Sequence, residues 1–246
     1  MLDLVTIPQE VASRWDREWG AYLLTEDVNP FVVEADCLEH VGALDGLDER
    51  QVFDAVLASH PSYTFAVQLR IWASADRIVG RHVVELGCGP GLLGKHLGFV
   101  VDRYLGIDVS RVALAMARGG AHPNCRFVHI NDHDLLAGHA GLYDTVVGRE
   151  FFIHQNYESA KGLLRLARFL LKPGGTVHCD FFARGDGEAG TVYDARAEHD
   201  AEQVSSGYAF SEQDVLDVAR DVGLSVVSQT EDCRAWRRFV VLRFDD

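Results

Sequence analysis

Apolar residues recur at helical spacing near the start of the chain, where Trp15, Trp19, Tyr22 and Leu23 fall three to four residues apart, and again at Phe65, Leu69 and Trp72. Residues 1–79 are therefore read as a helical cap whose aromatic stripes join it to a core, with direct ligand contact as the competing role. From residue 80 the pattern changes to short apolar blocks separated by amphipathic stretches. His82-Val-Val-Glu-Leu86 is a buried strand that runs into a glycine loop and then a helix. Arg103–Asp108 is an apolar strand that ends in a carboxylate, and the segments from Phe127 and from Tyr143 repeat the strand signature. Residues 158–172 pattern as a helix, with Leu163, Leu164, Ala167, Leu170 and Leu171 on its core side. Lys161, Arg165, Arg168 and Lys172 share the other side, a solvated basic face. Pro173 stops that helix and Gly174-Gly175 supply the turn into a fifth strand. The stretch 184–208 carries four glycines, many charges and little periodicity, which reads as a mobile lid. Ser211 and Asp214 then offer a cap for an amphipathic helix through Val222, ended by Gly223, and strands at Leu224–Gln229 and Trp236–Phe244 follow.

Composition narrows this picture. A chain of 246 residues with 48% hydrophobic content suits a globular domain plus a cap. The absence of a spanning apolar run, and of a basic start before an apolar segment, sets the expectation of a cytosolic protein without membrane contact. Five cysteines at 37, 88, 125, 179 and 233 form no C-x-x-C pair and read as reduced thiols, with Cys88 filling space in the glycine loop. A net charge of −14 argues against a nucleic acid partner. Acids at Glu26, Asp27, Glu34, Asp36 and Glu39 read as a solvated face, with attraction of an amine ligand as the alternative.

The glycine loop decides the chemistry. Gly87, Gly89 and Gly91 allow a ligand to lie against the main chain. A G-x-G-x-x-G dinucleotide fingerprint fails from Gly87, because its sixth position is Leu92. Read from Gly89 it succeeds through Gly94, but two residues late for a loop leaving the strand. Glu85 at the strand end is poorly placed beside a pyrophosphate, yet it suits the amino group of an amino acid. Glu85-Leu-Gly87-Cys-Gly89-Pro-Gly91 thus resembles the E/D-x-G-x-G-x-G motif of the class I S-adenosylmethionine (SAM)-dependent methyltransferases. Asp108 stands 21 residues after Gly87, where an acid can take both ribose hydroxyls in a SAM or an NAD site. Phe127–Asp132, Tyr143–His154 and the Leu170-Leu-Lys-Pro-Gly-Gly turn complete the family order over about residues 80 to 182.

The resemblance implies an α/β fold: a seven-stranded Rossmann-like sheet of order 3-2-1-4-5-7-6, strand 7 antiparallel, with the N-terminal helical cap. The core would span 80–246 with the lid inserted at about 184–208. It also implies cofactor contacts from Glu85, Gly87, Gly89, Gly91 and Asp108. Asp132 would address the adenine amino group, with His133 stacking near it or sitting on a surface loop. Arg149 would grip a carboxylate of cofactor or substrate, or pair with Glu150 or Asp144. His154, six residues past Gly148, is the candidate base, its unperturbed pKa of about 6.5 suiting neutral pH; fixing the loop is the competing role. Asp180 would orient that imidazole if the strand ends meet. The loop further resembles the E-x-x-E-H of ubiquinone-type O-methyltransferases, which can hold a divalent metal. Here Ile153 replaces the second acid, so no metal is expected. The Asn-Pro-Pro-Tyr-type motif of amide and base-amine methylation is absent after the fourth strand.

The expected activity is methyl transfer from SAM to an oxygen or nitrogen of a small-molecule acceptor, leaving S-adenosylhomocysteine (SAH), with a homodimer as candidate assembly. Alternatives are non-methylating SAM chemistry, a catalytically silent SAM-binding subunit, and an NAD- or FAD-dependent oxidoreductase on the offset glycine register.

Overall fold

The computed structural model describes residues 4–24, 81–98, 101–119, 121–183, 192–198, 207–232 and 237–245. Its strands are β1 (His82–Leu86), β2 (Arg103–Asp108), β3 (Cys125–His129), β4 (Tyr143–Gly148), β5 (Leu171–Phe182), β6 (Val192–Asp194), β7 (Gly207–Ala209), β8 (Ser225–Asp232) and β9 (Arg237–Arg243). Helices are α1 (Gln9–Leu24), α2 (Leu92–Leu97), α3 (Arg111–Gly119), α4 (His133–Ala137), α5 (Tyr157–Leu170) and α6 (Glu212–Val222), with a 3-10 turn at Phe152–His154. The cap residues around Phe65–Trp72, the acids 26–39 and most of the 184–208 lid lie outside the described residues.

Strands β3-β2-β1-β4-β5 run parallel, and β9 joins β5 antiparallel with β8 outside it. The seven strands read from the sequence therefore stand in the expected order. Two more, β6 and β7, pair with each other within the expected lid, and Ala209 of β7 meets Phe182 at the end of β5. At three residues each they are too short for alternation to register in a sequence; their pairing brings the Tyr193 and Tyr208 rings to 5.9 Å.

Residues alternate between two faces of the sheet. Val84, Leu86, Leu105, Ile107, Val146, Val177, Cys179 and Phe181 point to one side, where α5 and α6 cover them in the larger core. Asn156 caps α5 by accepting the Ser159 N–H at 3.0 Å, and Ser211 and Asp214 close a reciprocal capping box on α6. The basic side of α5 is more than a solvated face: Lys161 pairs with Asp221 at 2.8 Å and Arg168 lies 4.7 Å over the Phe244 ring. On the opposite side Val83, Tyr104, Phe127, Val147 and Phe239 form a smaller core under α2 and α3. That same face carries the buried polar groups Glu85, His178 and Asp180.

The N-terminal segment is tied across the strand ends by polar contacts. Ile7 and Asn131 exchange two 2.8 Å hydrogen bonds, and the His133 ring lies 3.1 Å from the Val5 carbonyl. Asp16 on α1 accepts from the Ser110 hydroxyl at 2.8 Å and the Val112 N–H at 3.2 Å, docking α1 on the N-terminus of α3.

Candidate functional site

The order 3-2-1-4-5 reverses between β1 and β4, and the carboxyl ends of the strands flanking such a reversal open a crevice. A cavity of about 410 Å³ lies there, lined by the glycine loop, Glu85, Asp108, the β4 loop and two tryptophans of α1.

Its floor is set by backbone geometry. Gly87 has φ +70, and a Cβ at that position would stand 2.2 Å from the Phe151 ring; at Gly89, φ +50, it would stand 2.7 Å from the Trp19 ring. Any side chain here meets both the strain of positive φ and an aromatic wall. The Gly87 and Cys88 N–H groups bond the Ile107 carbonyl, so the loop is hung from the end of β2.

Asp108 is buried where that strand ends. Its two oxygens accept the Gly89 and Ser110 N–H groups, each at 2.8 Å, and each keeps a further lone pair for a ligand hydroxyl. Burial pushes its pKa up, against the lowering pull of those N–H groups. Glu85 is also buried and accepts the Tyr104 hydroxyl. Burial and the Glu85 charge push the Tyr104 phenol well up, which keeps it a donor. Cys88 is buried beside these groups; burial pushes its thiol well up, and it is free, as are Cys125 and Cys179.

The opposite wall follows β4. Glu150 takes φ +51, the sole non-glycine with positive φ among the described residues. This turn aims its N–H at Asp180, which accepts it at 2.8 Å, while the other Asp180 oxygen lies 3.4 Å from Nη1 of Arg237. Asp180 is fully buried, and burial pushes its pKa up to about 6 against the pull of Arg237. The expected pairing of Asp180 with His154 is therefore corrected: its oxygens hold the Glu150 backbone and Arg237, because the left-handed turn at Glu150 places an N–H where the imidazole was expected. His154 lines the cavity with its ring edge-on to Trp15 at 5.3 Å. Arg149 places Nη1 3.2 Å from Glu150, one of the two pairings foreseen for it, while Asp144 binds Lys172 at 2.7 Å.

The structure thus brings together Glu85, Gly87, Gly89, Asp108, Arg149 and His154 around one cavity. Gly91, φ +79, caps α2 just beyond them. Asp132 and His133 stand outside this cavity: Asp132 caps α4 through the Leu135 N–H, and His133 tethers the N-terminal segment. Trp15 and Trp19, for which the sequence leaves cap–core packing and ligand contact both open, wall the cavity. Tyr104, Phe151 and Arg237 also shape the site, though none belongs to the motifs that point to it. For Arg237 the signal is strand alternation, which puts it on the same face as Phe239, the register partner of Asp180. Among the described residues, no group of three or more His, Cys, Asp or Glu side chains is placed to hold a metal ion, and no helix is long and apolar enough to cross a membrane.

Comparison with known proteins places this geometry. Residues 83–175 match the methyltransferase domain family. Ubiquinone biosynthesis O-methyltransferase of Thiobacillus denitrificans is 33% identical over 103 residues, covering 41% of this chain and 44% of that protein; its counterpart in Acinetobacter baumannii is 30% identical over 107 residues. The matched region spans less than half the length of these curated relatives. Among solved structures, the DhpI–SAH complex has a TM-score of 0.59 at 16% identity over 96% of both chains. Magnesium protoporphyrin IX methyltransferase of Synechocystis PCC 6803 with bound SAH has 0.55 at 19% identity, again over 96% of both. In its strand order, antiparallel β9 and glycine loop at the switch point, the chain has the Rossmann-like fold of these class I methyltransferases, and residues 83–175 carry the match to their domain family.

Proposed function

We propose that this chain is a SAM-dependent methyltransferase acting on an oxygen or nitrogen of a small-molecule acceptor. The observation that carries the reading is Asp108: a buried carboxylate at the end of β2, held by two backbone N–H groups beneath the glycine loop, with acceptor capacity left on both oxygens. The cavity's residues fit SAM, with Asp108 for the ribose hydroxyls and Glu85, steadied by Tyr104, for the amino end. When bound, SAM would supply a methyl group on a sulfonium, whose sulfur departs readily as the neutral thioether SAH. The protein's part is then alignment and exclusion of water. Trp15, Trp19 and Phe151 wall the cavity with apolar surface, which favours a small acceptor over a polymer. His154 faces the same space and takes the proton from the acceptor's hydroxyl or ammonium, with the Trp15 edge contact fixing its ring.

The test is SAH formation, followed by mass spectrometry, with SAM and a panel of phenols, amines and carboxylates. Acceptor-dependent SAH is the expected result. Methylthioadenosine released without an acceptor would instead assign internal SAM chemistry, and tight binding without turnover across the panel would assign a silent subunit.

A further inference from the structure

We propose that Arg237 recognises a carboxylate on the acceptor, so that the substrate is an organic acid; this rests on the methyltransferase reading above. Arg237 begins β9 and lines the same cavity as Asp108. Its side chain is only 13% exposed, and among the described residues its ion-pair partner is Asp180, at 3.4 Å, the long end of the hydrogen-bond range. The guanidinium lies 4.5 Å over the Phe182 ring, which sets its plane. Among the described residues its Nε and Nη2 N–H groups make no hydrogen bond, yet neither atom is sealed from solvent. Arg237 lines the cavity with donors still open to a ligand, and a guanidinium fork matches a carboxylate bidentately.

Position separates acceptor from cofactor. Asp108 ends β2 and Arg237 begins β9, with β1, β4 and β5 between them. At about 4.8 Å per strand they stand about 19 Å apart across the sheet. A cofactor with its ribose at Asp108 and its amino end at Glu85 on β1 leaves the β5–β9 end of the cavity to the second substrate. Arg149 lines the wall between, beside Glu150 at 3.2 Å as Arg237 stands beside Asp180, so the acceptor side carries two guanidinium forks, each next to one carboxylate.

The experiment measures binding of benzoate and its uncharged analogue benzamide to the SAH-loaded protein by ligand-observed NMR. It compares the unmodified chain, Arg237→Gln, and the double variant Asp180→Asn/Arg237→Gln, which leaves no buried carboxylate unpaired. Benzoate should bind at least about tenfold more tightly than benzamide, a preference lost in both variants while SAH affinity stays within about threefold. Equal binding of the two probes, or a preference that survives in the variants, overturns the proposal. So does SAH affinity that falls by more than about threefold in the double variant, because the guanidinium then serves the cofactor's carboxylate. An unmodified protein that binds no SAH refutes the methyltransferase reading instead, and the benzoate preference of the cofactor-free protein then decides the anion site separately.

Discussion

Replacing Asp108 with alanine removes the group on which the cofactor reading depends. The carboxylate is buried and accepts two backbone N–H groups at 2.8 Å. Two effects follow and must be separated. Loss of a charge-assisted contact to the ribose weakens SAM or SAH by about 1.5 to 3 kcal/mol, or roughly 10- to 150-fold in Kd. Orphaning the Gly89 and Ser110 N–H groups costs about 1 to 3 kcal/mol of stability for each that water does not reach. Calorimetric titration with SAH, paired with urea denaturation of the same preparations, reads both. Asp108→Asn serves as the volume-matched control: it lacks the charge, and its amide nitrogen cannot accept from one of the two N–H groups, so it should weaken binding in the same direction. Unchanged SAH affinity in a folded Asp108→Ala protein would refute the assignment of β2's terminal carboxylate to the ribose.

His154→Ala should lower turnover by about 10²-fold or more while leaving SAH affinity nearly unchanged; equal loss in both would make it a cofactor or scaffold residue. Gly87→Ala should destabilise the fold by about 1 to 3 kcal/mol in urea denaturation, because φ +70 is strained for alanine and its Cβ would stand 2.2 Å from the Phe151 ring. Buried His178 has its pKa pushed down to about 4 by burial, so the unfolded chain binds its proton first as pH falls. Its contribution to stability is full above about pH 6.5 and is lost toward pH 4, by about 3 kcal/mol. Asp180, pushed up to about 6, acts in the opposite sense, favouring the folded state as pH falls from 6 toward 4. Denaturation midpoints of His178→Gln between pH 7 and 4.5 should therefore fall less than those of the unmodified chain; parallel curves would contradict the burial argument.

The parallel strands were legible because each is a compact apolar block that ends in a chemically distinctive residue, Glu85 before the glycines and Asp108 after Ile107. Ser211 and Gly223 marked both ends of α6, and the structure shows the capping box and the left-handed C-cap. What escaped was tertiary. Asp180 was placed correctly on β5, but nothing local shows that Glu150 turns left-handed and claims its carboxylate. Trp15 and Trp19 satisfy helical spacing equally well as packing faces or as cavity walls, and only the docking of α1 through Asp16 decides between them. Asp132 and His133 fit the family position for adenine, yet their side chains serve local needs, a helix cap and a tether to Val5. Arg237 lies far along the chain from the site motifs and reaches the cavity only through the antiparallel insertion of β9.

The cofactor assignment is tested most directly by titrating purified, ligand-stripped protein with SAM, SAH and NAD in parallel calorimetry. Micromolar binding of the two adenosyl ligands with none of NAD is the expected result, and binding of NAD alone would contradict it.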